Sequence, residues 1–400
     1  MKNFKLYMPT KIVFGPGEIS RLGEETAKIG RKAIVVTGKR STKESGVLDK
    51  AVELLSKAGV SSVVFDRVEP NPRSTTVDEG GALAQKEGCD VVIGLGGGSP
   101  MDAAKGIAVA AHDPGNIWDY VVHGDPSSLK RPSRALPTVM VPTLAATGSE
   151  FNAGSVITNW ETHEKGLLIA PPVLYPKVSI IDPELTLTVN KDYTIDGAID
   201  IILHVMESYF NNTEGTPLQD RISEGIILTV MEYFPRLLAD LRDLEARSEL
   251  SWSSALALCG VPSVGREFLG SPVHAMEHAL SGHYDISHGR GLAVIVPHWM
   301  QYSYKSGPER FARFAERVMG LSPEPGESAE KLAARGIAAW TSWMKEHEAY
   351  FTLRDLGIDD SRFEKMAADT ARIYGDGKTI LGIRPLGIAD MVEIYKMCLG

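Results

Sequence analysis

Residues 90–108 read DVVIGLGGGSPMDAAKGIA, an apolar run that passes through a glycine-rich turn into a helical pattern. The same alternation precedes this segment. Residues 32–38 (KAIVVTG) and 61–68 (SSVVFDRV) indicate buried strands, and residues 46–59 and 75–88 indicate the helices that follow them. Strands that alternate with helices form a largely parallel sheet covered on both faces.

Further apolar runs of strand length follow downstream, at residues 137–143, 155–159, 165–170 and 178–183. Each run is short and is bounded by polar, glycine or proline residues, as strands are. We therefore predict a Rossmann-like α/β domain over residues 1–187.

The pattern changes after about Lys191, where apolar residues recur at helical spacing and strand signals nearly vanish. The helical segments are residues 193–210, 221–241, 249–260, 309–320 and 329–348. We predict a second, all-α domain over residues 188–400. A cleft between two domains is the natural place for a substrate.

Composition excludes several classes of function. The 400-residue chain has a formal net charge of −9, which argues against a nucleic-acid partner because phosphate backbones require a basic surface. No apolar run reaches the length of a membrane span, and no secretory signal is expected at the start. The three scattered cysteines fit free thiols in a reducing compartment. We expect a cytoplasmic protein that acts on a small molecule.

Two polar turns predict a nucleotide site. Residues 96–99 (GGGS) open a helix, whose free N–H groups can bind a phosphate. Ser99 occupies the third glycine position of the GxGxxG fingerprint, so this motif alone does not identify a dinucleotide. A second turn, PTLAATGSE (142–150), brings Thr143 and Thr147 to the end of another strand. Such turns at one edge of a parallel sheet are typical of nucleotide binding.

The segment HAMEHALSGHYDISHG, residues 274–289, contains four of the ten histidines. His274 and His278 are spaced i, i+4 and share one face of a helix. Together with Glu277 they match H-x-x-E-H, the zinc signature of a class of metalloproteases in which the glutamate is the general base. This interpretation assigns no role to His288 or to the glycine-rich turns.

A different grouping uses the segment DIILH, where Asp200 and His204 have the same i, i+4 spacing. Together with His274 and His288 they would supply three nitrogens and one oxygen to a divalent first-row metal. All four residues lie in the predicted second domain, so the site can form where that domain meets a nucleotide.

Four motifs carry a resemblance to a known family: GGGSPMDAAK (96–105), TLAATGSE (143–150), DIILHVMESY (200–209) and HAMEHALSGHYDISHGRGLAVIVP (274–297). In this order the chain resembles, over essentially its whole length, the iron-containing (group III) alcohol dehydrogenases of the dehydroquinate-synthase-like superfamily. It is most similar to the butanol dehydrogenase-type aldehyde reductases. The second turn departs from the pattern, with Leu144 and Ala146 where many members have Thr and Gly.

The resemblance implies metal ligands at Asp200, His204, His274 and His288, with Fe²⁺ as the expected metal and Zn²⁺ as the alternative. It places His278 near the reacting centre, as a proton-relay or substrate-positioning residue. His283 matches no functional position and is expected to be solvated or structural. Taken together, the two turns and the resemblance predict cofactor contacts at Asn71, Gly97, Gly98, Ser99, Asp102, Thr143, Thr147 and Lys165.

The loop TGKRSTKESG (37–46), at the end of the first predicted strand, bears on the choice of cofactor. An NAD-preferring site generally places a carboxylate near the adenosine ribose, and the first half of this loop has none. Gly38 leaves room, while Lys39, Arg40 and Ser41 offer donors that suit a 2′-phosphate. The loop therefore predicts NADP(H) in preference to NAD(H).

The predicted function is a metal-dependent, NAD(P)-linked interconversion of alcohols and aldehydes or ketones by hydride transfer, with NADPH-dependent aldehyde reduction expected. A polyol (glycerol-type) dehydrogenase of the same superfamily, a metalloprotease and an inactive nucleotide-binding protein are the alternatives. We expect a homo-oligomer, and specifically a dimer.

Overall fold

The computed structural model describes residues 1–113, 115–124, 127 and 129–400. The strands are β1 (Lys11–Phe14), β2 (Lys32–Gly38), β3 (Ser61–Val68), β4 (Val91–Gly96), β5 (Thr138–Pro142), β6 (Gly154–Asn159), β7 (Glu164–Ile169), β8 (Val178–Ile181), β9 (Thr379–Ile380) and β10 (Leu386–Gly387). Six of them form a sheet in the order β1-β8-β5-β4-β2-β3, and every neighbouring pair is parallel.

Helices cover both faces of this sheet. They are α1 (Leu22–Ala27), α2 (Ser41–Glu44), α3 (Val47–Lys57), α4 (Ser74–Glu87) and α5 (Gly98–Ala110). Successive side chains of a strand point to opposite faces. Ile34 and Val36 of β2 accordingly pack in one apolar cluster with α4 and α5, whereas Ala33 and Val35 pack in another with α3. The predicted parallel sheet with helices on both faces is confirmed.

The sequence did not predict the pairing of five of the strands. Strands β6 and β7, predicted only as additional strands, form a separate antiparallel hairpin. Strand β1 has no clear sequence signal, because it is four residues long and only half-buried, yet it pairs with β8 and forms one edge of the sheet. The short strands β9 and β10 form an antiparallel pair within the otherwise helical second half.

The second half is helical, as predicted. Its helices are α6 (Lys191–Tyr209), α7 (Pro217–Ala239), α8 (Leu244–Ala257), α9 (Pro272–Tyr284), α10 (His288–Ser303), α11 (Pro308–Arg317), α12 (Ala329–Glu346), α13 (Phe363–Tyr374) and α14 (Ile388–Met397). They enclose one large apolar cluster that includes Ile199, Leu203, Trp299 and Trp340. Among the described residues, no helix is both long and apolar enough to cross a membrane. The predicted boundary at residue 187 falls between β8 and α6 and stays a prediction.

The β6–β7 hairpin joins the two halves. The Arg372 guanidinium at the end of α13 pairs with Glu164, and the Tyr374 hydroxyl donates to the Lys165 carbonyl at 2.8 Å. The ammonium of Lys165 donates to the hydroxyl of Ser281 on α9 at 2.9 Å. These bonds fix the sheet half against the helices that carry the histidine-rich motif.

Candidate metal and nucleotide site

Helices α6, α9 and α10 bring four predicted ligands together. Asp200 and His204 lie one turn apart on α6, with 3.4 Å between Asp200 Oδ1 and His204 Nε2. Helix α9 contributes His274 and α10 begins with His288, and the Nε2 atom of each lies 3.8 Å from the same Asp200 oxygen. Three imidazoles from three helices therefore converge on one carboxylate oxygen.

A buried carboxylate orients each of two imidazoles. Glu207, also on α6, contacts Nδ1 of His274 and accepts a 2.6 Å hydrogen bond from the backbone N–H of Val273. Glu277 contacts Nδ1 of His288 in the same way. With Nδ1 occupied, Nε2 of each ring faces Asp200, which is the arrangement that outer carboxylates impose on metal-ligating histidines.

The donor set fits a divalent metal. Among the described residues, Asp200 Oδ1 and His274 Nε2 are buried without a hydrogen-bond partner, which is costly for polar atoms unless a ligand satisfies them. Four ligands about 2.1 Å from one ion lie roughly 3.4 Å apart in a tetrahedral site. The observed separations of 3.4–3.8 Å between Asp200 and the imidazoles are of this size.

Local electrostatics favour ligation. Burial opposes ionisation of Asp200, but His204 and the other imidazoles outweigh burial and hold the pKa of this carboxyl well below its usual range. Burial lowers the pKa of His204 to about 4, so this imidazole is neutral at pH 7. Although burial opposes the shift, Glu207 and Asp200 raise the pKa of His274 to about 10, so binding of a metal cation there displaces a proton.

The position of Glu277 argues against the metalloprotease interpretation. A protease base must reach a water molecule beside the metal, but Glu277 is fully buried. Its carboxylate contacts Nδ1 of His288 and lies 3.7 Å from the Lys165 ammonium. Because Glu277 does not line the cavity and its Oε2 atom is engaged by both partners, Glu277 holds His288 and does not face a substrate.

The glycine-rich turn lies against the second polar turn. Gly98 is the first residue of α5, and Gly98 and Ser99 line the same cavity as His204 and His274, whereas Gly97, the residue before the helix, is not part of this lining. A Cβ atom at Gly98 would lie 2.4 Å from the Cγ2 atom of Thr147, so only glycine fits there. The turn therefore presents the free N–H groups of α5 close to the histidine cluster.

Asp102 and Thr147 also line this cavity, whereas Thr143 does not. The Thr143 N–H donates to the Gly96 carbonyl at 2.9 Å. The Asp102 carboxylate is half-buried and accepts hydrogen bonds from the Ser149 hydroxyl at 2.6 Å and the Val156 N–H at 2.9 Å. Thr143 therefore supports the second turn, and its predicted cofactor contact remains untested.

Asn71 and Lys165 line the cavity, but their polar groups have protein partners. The ammonium of Lys165 donates to Asn71 Oδ1 and to the Ser281 hydroxyl, both at 2.9 Å. The Asn71 amide donates to Asp285 Oδ1 at 3.1 Å and to the Ile286 carbonyl at 3.2 Å. The geometry gives these residues a role in joining the domains. Their predicted cofactor contacts stay predictions.

The loop after β2 lies outside the cavity lining. Lys39, Arg40 and Ser41 are exposed there, with Gly38 half-buried at the end of β2. Two acidic residues lie beside this loop. They are outside residues 37–46, so the sequence of the loop does not reveal them. Glu69 accepts from Lys39 at 3.4 Å, and Asp66 on β3 pairs with Lys43. These carboxylates partly neutralise the cations that predicted a 2′-phosphate site.

His278 and His283 have different surroundings. His278 lines the cavity, and its Nδ1 atom contacts the hydroxyl of Tyr374. His283 is buried, with Nε2 3.1 Å from Asp369 Oδ2 and its ring stacked on His163 at 5.5 Å. Of the two roles expected for His283, the structure supports the structural one, because the side chain is not solvated.

The cavity has a volume of about 350 Å³ and an apolar wall that sequence reasoning missed. Residues Leu258, Phe268, Pro272, Ile380 and Leu381 contribute to this wall. They come from the end of α8, the loop before α9, α9 itself and the β9–β10 pair. Tyr374 was missed too. The sequence does not predict the apolar wall or Tyr374 as parts of the site, because these residues are scattered along the chain and only packing brings them together.

Comparison with known proteins gives one consistent family. The family model "Iron-containing alcohol dehydrogenase" matches residues 9–183, and the model of the C-terminal part of this family matches residues 194–399. The probable NADH-dependent butanol dehydrogenase 1 of Bacillus subtilis is 39% identical over 399 residues, which cover 100% of both chains.

Two further relatives extend this comparison. The crystal structure of NADH-dependent butanol dehydrogenase A from Thermotoga maritima superposes with a TM-score of 0.93 at 38% identity, covering 100% of this chain and 99% of that one. An NADPH-dependent aldehyde reductase of Escherichia coli is 31% identical over 96% of this chain and 95% of its own length. The resemblance drawn from the four sequence motifs is confirmed.

Proposed function

The chain belongs to the iron-containing alcohol dehydrogenase family, as an alcohol and aldehyde oxidoreductase of the butanol dehydrogenase type, and we propose that it reduces aliphatic aldehydes with NADPH. One observation carries this proposal. The Nε2 atoms of His204, His274 and His288 converge on Asp200 Oδ1, and one cavity reaches from these imidazoles to the glycine-rich turn.

Asp200, His204, His274 and His288 are the proposed ligands of a divalent metal, with Fe²⁺ expected and Zn²⁺ also compatible with a mixed oxygen and nitrogen set. When bound, such a metal supplies a Lewis acid for the carbonyl or hydroxyl oxygen of the substrate. The carboxylates of Glu207 and Glu277 keep two of the imidazoles turned toward this centre.

The proposed cofactor cradle consists of Gly97, Gly98 and Ser99, with Asp102 and Thr147 beside them. The N–H groups at the start of α5 would hold the pyrophosphate, and the cofactor, when bound there, would supply the hydride chemistry. The hydrogen bonds from Ser149 and Val156 hold Asp102 in place at the cavity wall.

The preference for NADP(H) is proposed on the balance of charge around the β2 loop. Glu69 and Asp66 pair with Lys39 and Lys43, whereas Arg40 has no ion-pair partner among the described residues. A guanidinium without a partner suits a 2′-phosphate better than it suits a 2′-hydroxyl. Arg40 and Ser41 are therefore the proposed primary contacts, with Lys39 shared between Glu69 and the phosphate.

The apolar wall supports an aliphatic substrate. Leu258, Phe268 and Leu381 offer surface for an alkyl chain and no side-chain hydrogen-bond partner for a second hydroxyl group. A pocket that leaves a polar group unpaired discriminates against that substrate. We therefore propose aldehydes with a short alkyl chain in preference to polyols.

A direct assay tests this function. Protein reconstituted anaerobically with Fe²⁺, and separately with Zn²⁺, is mixed with NADPH or NADH and with butanal or glyceraldehyde, and cofactor oxidation is followed by ultraviolet absorbance. We expect butanal with NADPH to give the highest kcat/KM, and the His274→Ala variant to give none. Higher kcat/KM for glyceraldehyde would favour the polyol alternative, and no cofactor oxidation would refute the proposal.

The free edge of β1 supports the proposed homodimer. Strand β1 is the last strand on one side of the sheet, and in the part of the chain that the structure describes its one hydrogen-bonded neighbour is β8. Phe14 on β1 is 39% exposed and packs against Trp252, which is 38% exposed, at a ring distance of 5.5 Å. An apolar, unpaired edge is a surface on which a second copy can pair. Light scattering should report a dimer, and Phe14→Lys should shift it toward monomer.

A further inference from the structure

The hydroxyl of Tyr374 stands between His278 and a backbone carbonyl. Tyr374 is the last residue of α13, and its oxygen contacts Nδ1 of His278, 96 positions away in the sequence. The same oxygen lies 2.8 Å from the carbonyl of Lys165 on β7. Three elements that are remote in the sequence therefore meet at one phenol.

The direction of both hydrogen bonds follows from the chemistry of the three groups. A carbonyl oxygen only accepts, so the single proton of the Tyr374 hydroxyl is donated to Lys165. The Tyr374 oxygen then has only lone pairs to offer to His278. The Nδ1 atom of His278 must consequently carry a hydrogen, and Nε2 is the nitrogen that keeps a free lone pair.

The surroundings hold the phenol in this position. Arg372, two residues earlier on α13, donates to the His123 carbonyl at 2.7 Å and pairs with Glu164 next to Lys165. Burial raises the pKa of Tyr374 far above the physiological range, so its hydroxyl keeps its proton. Tyr374 and His278 both line the cavity that contains the proposed metal ligands.

We propose that Tyr374 is a positioning residue that fixes His278 in the tautomer protonated on Nδ1, so that protons are exchanged only through Nε2. This inference rests on the proposed function of His278. A proton cannot pass beyond Tyr374, because the Lys165 carbonyl has no proton to give and does not take one up. His278 is therefore not a through-going relay to the protein interior. It exchanges protons with the substrate oxygen or with water on the cavity side.

The tautomer can be observed without any measurement of activity. We propose long-range ¹⁵N–¹H spectra of the protein labelled at histidine and reconstituted with Zn²⁺, which is diamagnetic, with His278 assigned from the spectrum of His278→Gln. We expect Nδ1 of His278 to be of the protonated type and Nε2 of the unprotonated type, and Tyr374→Phe to change this pattern. Protonation on Nε2 in the unmodified protein would overturn the proposal.

Kinetics supply a second readout. Tyr374→Phe should lower kcat for aldehyde reduction by roughly 10- to 100-fold, and we take this range from the loss of groups that orient metal-ligating histidines. KM for the nicotinamide cofactor should stay within about twofold, because the phenol does not belong to the proposed cofactor cradle. An unchanged kcat, or a fall in kcat that follows loss of folded protein, would refute a positioning role.

Tyr395→Phe is a matched control. The Tyr395 hydroxyl is fully buried and also donates to a backbone carbonyl at 2.8 Å, that of Met276 on α9, but its partner is not a histidine. Loss of this bond should cost stability without changing the His278 spectrum or kcat. If His278→Gln keeps full activity, the proposed function of His278 is wrong, whereas the tautomer assignment is tested independently by the spectra.

Discussion

The Oδ1 atom of Asp200 on α6 lies 3.8 Å from Nε2 of His288, the first residue of α10. His204 and His274 complete the same cluster. Neither the i, i+4 spacing on α6 nor the spacing within the histidine-rich segment requires this meeting. The packing of α10 against α6 and α9 brings the four side chains together.

His274→Ala or His288→Ala should abolish retention of the metal and turnover, because either change removes one of the four proposed ligands. Elemental analysis of anaerobically reconstituted protein checks this prediction. His283→Ala serves as the control and should keep its metal, although it leaves Asp369 without this partner and should lower the free energy of unfolding by about 1–3 kcal/mol. A full metal content in His288→Ala would show that the four-ligand assignment is wrong.

Glu277→Gln should weaken metal binding by roughly 10- to 100-fold, because the carboxylate that orients His288 is replaced by a neutral amide of the same shape. Competition with a chelator measures this affinity. Glu207→Gln is the matched variant, since Glu207 holds His274 in the same way, and should have a similar effect. If Glu277→Gln bound metal normally but lost a hydrolytic activity, the metalloprotease interpretation would gain support.

Gly98→Ala should raise KM for the nicotinamide cofactor by roughly tenfold or more. The new methyl group would lie 2.4 Å from Thr147 Cγ2, which forces the two turns of the cradle apart. Gly97→Ala is the matched variant in the same turn, because its Cβ would meet no atom of the second turn closer than Leu144 at 3.5 Å. Equal KM values for the two variants would show that contact between the turns does not shape the cofactor site.

Replacing Lys39 and Arg40 together by alanine should raise KM for NADPH and leave KM for NADH nearly unchanged, because a 2′-phosphate would lose its cationic partners. Glu69→Gln is the complementary change. It releases Lys39 from its 3.4 Å ion pair and should strengthen the preference for NADPH over NADH. Steady-state kinetics with NADPH and with NADH measure both KM values. Equal changes in the two KM values would show that this loop does not select the phosphate.

Phe268→Ala should lower kcat/KM for butanal more than for acetaldehyde. The ring is 82% exposed and lines the cavity, so an alkyl chain that packs against it gains apolar contact that a shorter substrate lacks. The difference should amount to a few-fold, since only part of the chain reaches the ring. An equal loss for both aldehydes would place the alkyl chain elsewhere in the cavity.

Much of this protein follows from local sequence patterns. The strand-length apolar runs predicted β2 to β5, because a buried parallel strand needs apolar side chains on both faces. The pairs Asp200 with His204 and His274 with His278 are separated by one helical turn, so each pair shares a face whatever the rest of the chain does. The glycines at residues 96–98 likewise predicted a tight turn, and their contact with a ligand stays a prediction.

Only the tertiary structure determined which of these helices, strands and turns contact one another. Glu277 holds His288 because α9 packs on α10, and Glu69 faces Lys39 because β3 pairs with β2. Tyr374 reaches His278 through the docking of α13 on β7 and α9. Periodicity fixes which residues share a face of one element, but it does not fix which elements are neighbours. That choice depends on the packing of side chains that are distant in the sequence.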